Sequence, residues 1–98
     1  MQKITVTELK NKIAQNDDFI LLDVRSLEEF EDGHLDNALL LDVRDFSEKA
    51  LDELNIKDKQ KEIVVYCRSG SRSAFASQIL ESWGFEKVLD LENGLIYW

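Results

Sequence analysis

The chain contains no proline, one cysteine, one histidine and four glycines in 98 residues. Each scarcity removes options. Without proline no turn is set by a locked φ, so chain reversals fall to Gly, Asn and Asp. A lone cysteine cannot close an internal disulfide, and with one histidine it cannot complete a zinc site, so no metal or disulfide staple is expected. No apolar run approaches the roughly 20 residues that cross a bilayer, and the opening Met1-Gln2-Lys3-Ile4-Thr5-Val6 lacks the apolar core of a secretory signal. A cytoplasmic protein with no membrane partner is expected. Positive charge is also short: 12 Lys and Arg against 20 Asp and Glu leave a net −8. Binding a phosphate backbone needs a basic face, so nucleic acid is not an expected partner either.

What is present suffices for one core. Hydrophobic residues make up 44% of the chain, enough for a single domain over residues 1–98 but not for two. Lys3 to Val6 reads as a first strand, and Thr7 as the N-cap of a helix through Gln15 with Leu9 and Ile13 on one face. Phe19-Ile20-Leu21-Leu22 is a second, buried strand after the break at Asn16-Asp17-Asp18. Ser26 and Glu29 have the spacing of a capping box opening a helix that stops at Gly33. Ala38 to Leu41 is a third short strand. The stripe Val43, Phe46, Ala50, Leu51 and Leu54 predicts a helix over Val43 to Leu54, and Asn55 to Glu62 a surface connection. Ile63 to Tyr66 is the fourth strand, Lys87 to Leu89 the fifth. Glu92-Asn93-Gly94 is a turn, after which Leu95 to Trp98 would begin a last helix. No internal repeats or low-complexity segments are read. Strands alternating with helices in so short a chain imply an α/β fold, a parallel sheet with helices on both faces.

The sequence Cys67-Arg68-Ser69-Gly70-Ser71-Arg72-Ser73 stands out against this background. A continuous apolar run with three β-branched residues precedes it, as in a strand buried on both faces. Ala74 to Trp83 follows, with Phe75, Ala76, Ile79, Leu80 and Trp83 at helical spacing and Gly84 as a stop. The cysteine therefore sits where a central strand ends and a tight loop enters a helix N-terminus. Open amides and the positive end of the helix dipole favour an anion there, and Arg68 and Arg72 add full charge. A thiol so placed is expected to be a thiolate near neutral pH and a nucleophile, rather than one more buried core cysteine. Ligands of open α/β sheets bind beyond the carboxyl ends of the strands, and Cys67 and Asp23 both fall on that edge. A local cationic pocket outweighs the repulsion of the net charge once an anion is within the screening length, about 8 Å at physiological salt.

Three stretches together resemble a known family. Asp23-Val24-Arg25, Glu29-Phe30, Gly33-His34-Leu35 and Ala38 are similar to the rhodanese signature D-V-R…E-[YF]-x-x-G-H-I-x-G-A. Cys67 to Ser73 is similar to its active loop, C-R-x-G-x-R-[ST]. Gly84-Phe85, Val88, Leu91, Gly94 and Trp98 are similar to its closing segment. Order and spacing are kept from strand two onward. Asp36-Asn37 departs from the usual Pro-Gly, Leu41-Asp42 from Ile-Pro, and Asn93 from the first glycine of a pair. Asn tolerates left-handed backbone, so the last turn is expected to survive.

The resemblance implies a rhodanese-like fold with a five-stranded parallel sheet, and a thiosulfate sulfurtransferase needing no cofactor. Cys67 would attack the outer sulfur of thiosulfate, release sulfite and hold a persulfide for cyanide, a thiol or a protein thiol. The amides of Ser69, Gly70, Ser71, Arg72 and Ser73 would cradle the persulfide. Arg68 and Arg72 would meet the anion or orient the loop, and Arg72 equally suits a structural pair with Asp23 or Glu29. Asp23 and Arg25 read as loop braces and His34 as a hydrogen-bonding turn residue. A monomer is expected. Sulfite leaves as an anion and the acceptor attacks as one, so neither step needs a general acid or base. Two rivals compete. A phosphatase or arsenate reductase of this fold carries C-x5-R, one residue longer than the C-x4-R here, to cradle a wider phosphoryl group. A redox-sensing or binding module would also use a reactive thiol, but no second cysteine is present to resolve a sulfenic acid.

Overall fold

In the computed structural model, which describes residues 1–98, the elements alternate as β1 (Gln2–Ile4), α1 (Val6–Ala14), β2 (Ile20–Asp23), α2 (Leu27–Asp32), β3 (Leu39–Leu40), α3 (Glu48–Glu53), β4 (Ile63–Tyr66), α4 (Ser71–Ser82) and β5 (Val88–Leu91). A 3-10 turn at Val43–Asp45 precedes α3. The strands form one sheet in the order β1-β5-β4-β2-β3, and every neighbouring pair is parallel. The expected five-stranded parallel sheet is therefore present. β4 lies in the middle, and all four of its residues are fully buried, each side chain worth about 1.5–3 kcal/mol on leaving water. Its register pairs Leu22 with Val65 and Asp23 with Tyr66, so β2 and β4 end at the same level. No helix is long and apolar enough to cross a membrane.

Side chains alternate between two cores. On one face Leu22, Val24, Ile63, Val65 and Val88 meet Leu51 of α3 and Ala76 and Leu80 of α4. On the other, Ile4, Leu21, Val64, Tyr66 and Leu91 meet Leu9 of α1 and Leu35. Helices cover both faces, as parallel strands require.

Several local expectations are corrected. Thr5, not Thr7, caps α1. Its hydroxyl accepts from the Glu8 N–H at 3.1 Å and Glu8 Oε1 accepts from the Thr5 N–H at 2.9 Å. A capping box needs Glu or Gln three residues on; Thr5 has Glu8, whereas Thr7 has Lys10. The helix thereby starts earlier and takes Val6 from the strand. Leu9 is buried but Ile13, one turn on, is 44% exposed. The stripe over Val43 to Leu54 is not one helix: Phe46 is extended, and Ser47 restarts the chain as the cap of α3, its hydroxyl accepting from the Ala50 N–H. The connection after α3 is not wholly superficial, because Ile56 is 1% exposed and joins the first core. α4 begins at Ser71 rather than Ala74, and Phe75 points to solvent at 59% exposure. β5 runs on to Leu91, and Leu95 to Trp98 forms turns, not a helix.

Without proline, the turns do fall to Asn and Gly. Asn16, Asn37, Asn55 and Asn93 all have positive φ. Asn37 supplies the left-handed residue where the family pattern has Gly, and Asn93 does the same at φ 61°.

Candidate active site

Cys67 follows the last residue of β4, and its Sγ points toward the first turn of α4. Gly70 makes this possible. Its φ of 112° is a conformation that residues with a Cβ rarely adopt, and it turns the Gly70 N–H back onto Sγ at 3.1 Å. The Ser73 N–H reaches the same sulfur at 3.3 Å. Sγ and Ser73 Oγ are 3.4 Å apart, and the Ser73 hydroxyl lies 3.2 Å from the Gly70 carbonyl. As a thiol, Cys67 donates to Ser73 Oγ while that hydroxyl donates to Gly70. As a thiolate it accepts the hydroxyl proton instead. One rotatable group serves both forms.

Cys67 is 1% exposed. Burial pushes its pKa up, but the Ser73 hydroxyl and the Ser73, Gly70 and Ser69 amides stabilise the thiolate more, and the net direction is downward. The N–H groups of Ser71 and Arg72, at the open end of α4, have no acceptor in the protein. They belong to the same loop and helix start that hold the sulfur.

The supporting residues fall into two braces. Asp23 grips Arg25: the Arg25 N–H, Nε and Nη2 all donate to its carboxylate, Nη2 at 2.7 Å, and Nη2 also donates to the Gly33 carbonyl at 2.7 Å. Both residues are buried, and the Arg25 guanidinium lies 5.7 Å from the centre of the Tyr66 ring. The pair ties the end of β2 to the Gly33 carbonyl after α2. Glu29 forms the expected capping box with Ser26 and also binds Arg72, so α2 is tied to α4. Arg72 is therefore committed to a carboxylate. His34 stacks on Phe30, ring centres 3.6 Å apart, with Nδ1 2.8 Å from the Phe30 carbonyl; it stays apart from the thiol. Arg68 is exposed and makes no ion pair. With Arg25, Glu29, Asp32, Leu95 and Ile96 it lines a cleft of about 490 Å³ at the sheet edge. A second groove of about 420 Å³, lined by Phe19, Leu35 and Trp98 among others, contains no residue of the loop.

Two features escape a reading of the sequence. Gly94, at φ 56°, presses against the loop: a Cβ there would come within 2.6 Å of the Arg68 carbonyl carbon and oxygen, and closer still to the Cys67 carbonyl oxygen. The next residue, Leu95, donates its N–H to the Arg68 carbonyl at 2.9 Å and the Cys67 carbonyl at 3.2 Å. The other is a repeat of three residues. Asp-Val-Arg occurs at 23–25 and again at 42–44, where only the departure from Ile-Pro draws notice. The string itself is the signal that finds it.

Comparison with known proteins places this geometry. A model of the rhodanese-like domain matches residues 5–98. A putative sulfurtransferase of Bacillus subtilis is 35% identical over 98 residues, covering all of this chain and 90% of that protein. A probable molybdopterin-synthase adenylyltransferase of the alga Porphyra purpurea is 40% identical over 99 residues, but the chain spans only 25% of its length. The crystal structure of a rhodanese-like domain protein from Staphylococcus aureus superposes with a TM-score of 0.85 at 33% identity, covering 100% of this chain and 91% of the other. With the family model spanning nearly its whole length and the Bacillus and Staphylococcus relatives aligned over about nine tenths of theirs, the chain belongs to the rhodanese-like domain family.

Proposed function

We propose that this chain is a sulfurtransferase that carries sulfane sulfur as a persulfide on Cys67, with thiosulfate or a related anionic sulfur compound as donor and a thiol, protein thiol or cyanide as acceptor. One observation carries the reading: Sγ lies at the end of the central strand and receives the Gly70 and Ser73 amides at the mouth of α4. That arrangement supplies what sulfur transfer asks of a protein, a thiol biased toward its thiolate and fixed donors for the anion that replaces it. The Bacillus relative's designation as a putative sulfurtransferase agrees with it.

In the first step the Cys67 thiolate attacks the outer sulfur of thiosulfate. The S–S bond of thiosulfate breaks, its electron pair leaves with sulfite, and a new S–S bond joins Cys67 to the transferred sulfur. In the second step the acceptor anion attacks that outer sulfur, and the cysteine leaves as the thiolate it began as. No oxidant enters and no proton moves. The burial of Cys67 gives the persulfide a further use, since it carries the reactive sulfur one bond length nearer the mouth. The unbonded Ser71 and Arg72 amides at the start of α4 are donors available to it. Arg68, lacking a carboxylate partner, meets the incoming anion, and Arg72 holds the loop through Glu29.

The test is an intact mass of the reduced protein before and after thiosulfate, followed by cyanide and a thiocyanate assay, with Cys67→Ser in parallel. A gain of one sulfur, lost to cyanide and absent from the variant, is expected. Folded protein that takes up no sulfur overturns the thiosulfate reading.

A further inference from the structure

We propose that Arg44 is a positioning residue that draws the anionic sulfur donor toward Cys67; the inference rests on the sulfurtransferase reading above. The repeated Asp-Val-Arg folds twice into the same clamp. In the first copy the Arg25 N–H, Nε and Nη2 meet Asp23 at 2.9, 3.0 and 2.7 Å. In the second, the Arg44 N–H and Nε meet Asp42 at 2.9 and 3.1 Å and Nη2 meets it at 2.6 Å. The copies lie side by side, because the Val43 N–H donates to the Val24 carbonyl at 3.1 Å and continues the sheet register.

Their surroundings differ. The Arg25 side chain is 8% exposed and is also bonded to Gly33, so its charge is used up inside the protein. Arg44 is 78% exposed while Asp42 is only 13% exposed, and Arg44 bonds nothing beyond Asp42. The pair is neutral, yet it is a dipole with the positive end outward. An exposed arginine normally gives up rotamer freedom to hold a ligand. Here Asp42 has already fixed the guanidinium and left its Nη1 edge open, which is a preorganised receptor for an oxyanion.

The position suits that role. All four arginines of the chain, Arg25, Arg44, Arg68 and Arg72, follow the carboxyl ends of β2, β3 and β4. The eight lysines lie in β1, α1 and α3, in the connection into β4, and just before β5. The 3-10 turn bearing Arg44 packs against α4, whose first turn holds the thiol. Since Arg25 and Arg72 are committed to carboxylates, Arg68 and the outer edge of Arg44 are the positive groups left to face an anion. In a molecule of net charge −8, such fixed local charge decides whether a dianion completes its approach.

Steady-state transfer from thiosulfate to cyanide, measured at low salt and at about 0.5 M salt, tests this. Arg44→Ala is expected to raise the KM for thiosulfate about three- to tenfold at low salt with kcat within about twofold, the difference shrinking as salt rises. Arg44→Lys restores charge without the fork and recovers part of the loss. Lys57→Ala, which removes the same charge from the connection into β4, leaves KM unchanged. A KM for Arg44→Ala equal to that of Lys57→Ala, or raised equally at both salts, overturns the inference. A parent protein that turns over no thiosulfate is a different failure, that of the sulfurtransferase reading. Alkylation of Cys67 then reads the same field without sulfur chemistry. Arg44→Ala should slow reaction with the anion iodoacetate and not with neutral iodoacetamide, and an unchanged ratio of the two rates sinks the role of Arg44.

Discussion

Arg72 gives both arms of its guanidinium to Glu29, Nη1 to Oε1 at 2.7 Å and Nη2 to Oε2 at 2.9 Å. The bond spans 43 residues and joins the first turn of α2 to the first turn of α4, whose Ser73 bonds the thiol. A bidentate arginine fixes direction as well as distance, so the loop holding Cys67 inherits its orientation from a carboxylate on another element.

That pair makes stability depend on acid. The Arg72 guanidinium, with the Ser26 contacts, holds the Glu29 carboxyl down at about 2 against an ordinary 4.5. A carboxyl with a lowered folded pKa stabilises the native state fully above its unfolded value and loses that contribution as pH falls through the folded one. The loss should therefore run from about pH 4.5 down to about pH 2. Glu29→Gln should be less stable than the parent at pH 7, by about 0.5–1 kcal/mol for a pair this open to solvent, and the gap should close as pH falls through about 2. Urea midpoints across that range check it. A gap that stays constant with pH would show that the pair contributes shape and not charge. Arg72→Ala should also slow sulfur uptake roughly tenfold or more through loss of loop orientation.

Ser73 governs the thiol more directly. Its amide and hydroxyl both act on Sγ, and the two together oppose the upward push of burial. Ser73→Ala keeps the amide and removes the hydroxyl, so the Cys67 pKa should rise. Because the thiolate is the reactive form, the rate of iodoacetamide alkylation climbs with pH through that pKa. The midpoint for the parent should lie below the ordinary cysteine value of 9.0, and the Ser73→Ala midpoint above the parent's. Thiolate absorbance titrated in parallel separates a pKa change from a change in access. Coincident midpoints would mean that the amides alone set the thiol.

Much of this was legible in the residues, and the reasons differ from place to place. β2 and β4 are read correctly because buried parallel strands are uninterrupted apolar runs, and Ser26 with Glu29 because a capping box has fixed spacing. The α1 start is missed where two threonines compete and only the glutamate three residues after Thr5 decides between them. The helix over Val43 to Leu54 fails for a different reason. Helical spacing of apolar residues survives across the break at Phe46, since residues on both sides pack on the same core. Phe75 shows the converse, a correctly spaced aromatic left at the surface. The cysteine loop stands out in the sequence because its residues are contiguous, whereas the commitment of Arg72 to Glu29 depends on how α2 and α4 are brought together. The support beneath the loop is the least visible part, since backbone pressing on backbone leaves no side chain to read.

Gly94 is that support, and it yields the sharpest prediction. A Cβ there would strike the Cys67 carbonyl oxygen and the carbonyl carbon and oxygen of Arg68, so there is no room for one. Its φ of 56° is also strained for most side chains. Leu95 then binds both the Cys67 and Arg68 carbonyls, so the turn after β5 sets the height of the cysteine loop. In Gly94→Ala either the turn or the loop must move. We expect a loss of stability of about 1–3 kcal/mol, with β4 and β5 still paired. Sulfur uptake should fall by about a hundredfold, the usual cost of displacing a reacting atom by about 1 Å. Asn93→Ala is the comparison, because it strains the neighbouring residue, at φ 61°, without adding an atom against the Cys67 and Arg68 carbonyls. It should cost similar stability and much less activity. Urea denaturation beside single-turnover sulfur transfer distinguishes the two, and equal activity losses in both variants would reduce Gly94 to an ordinary turn residue.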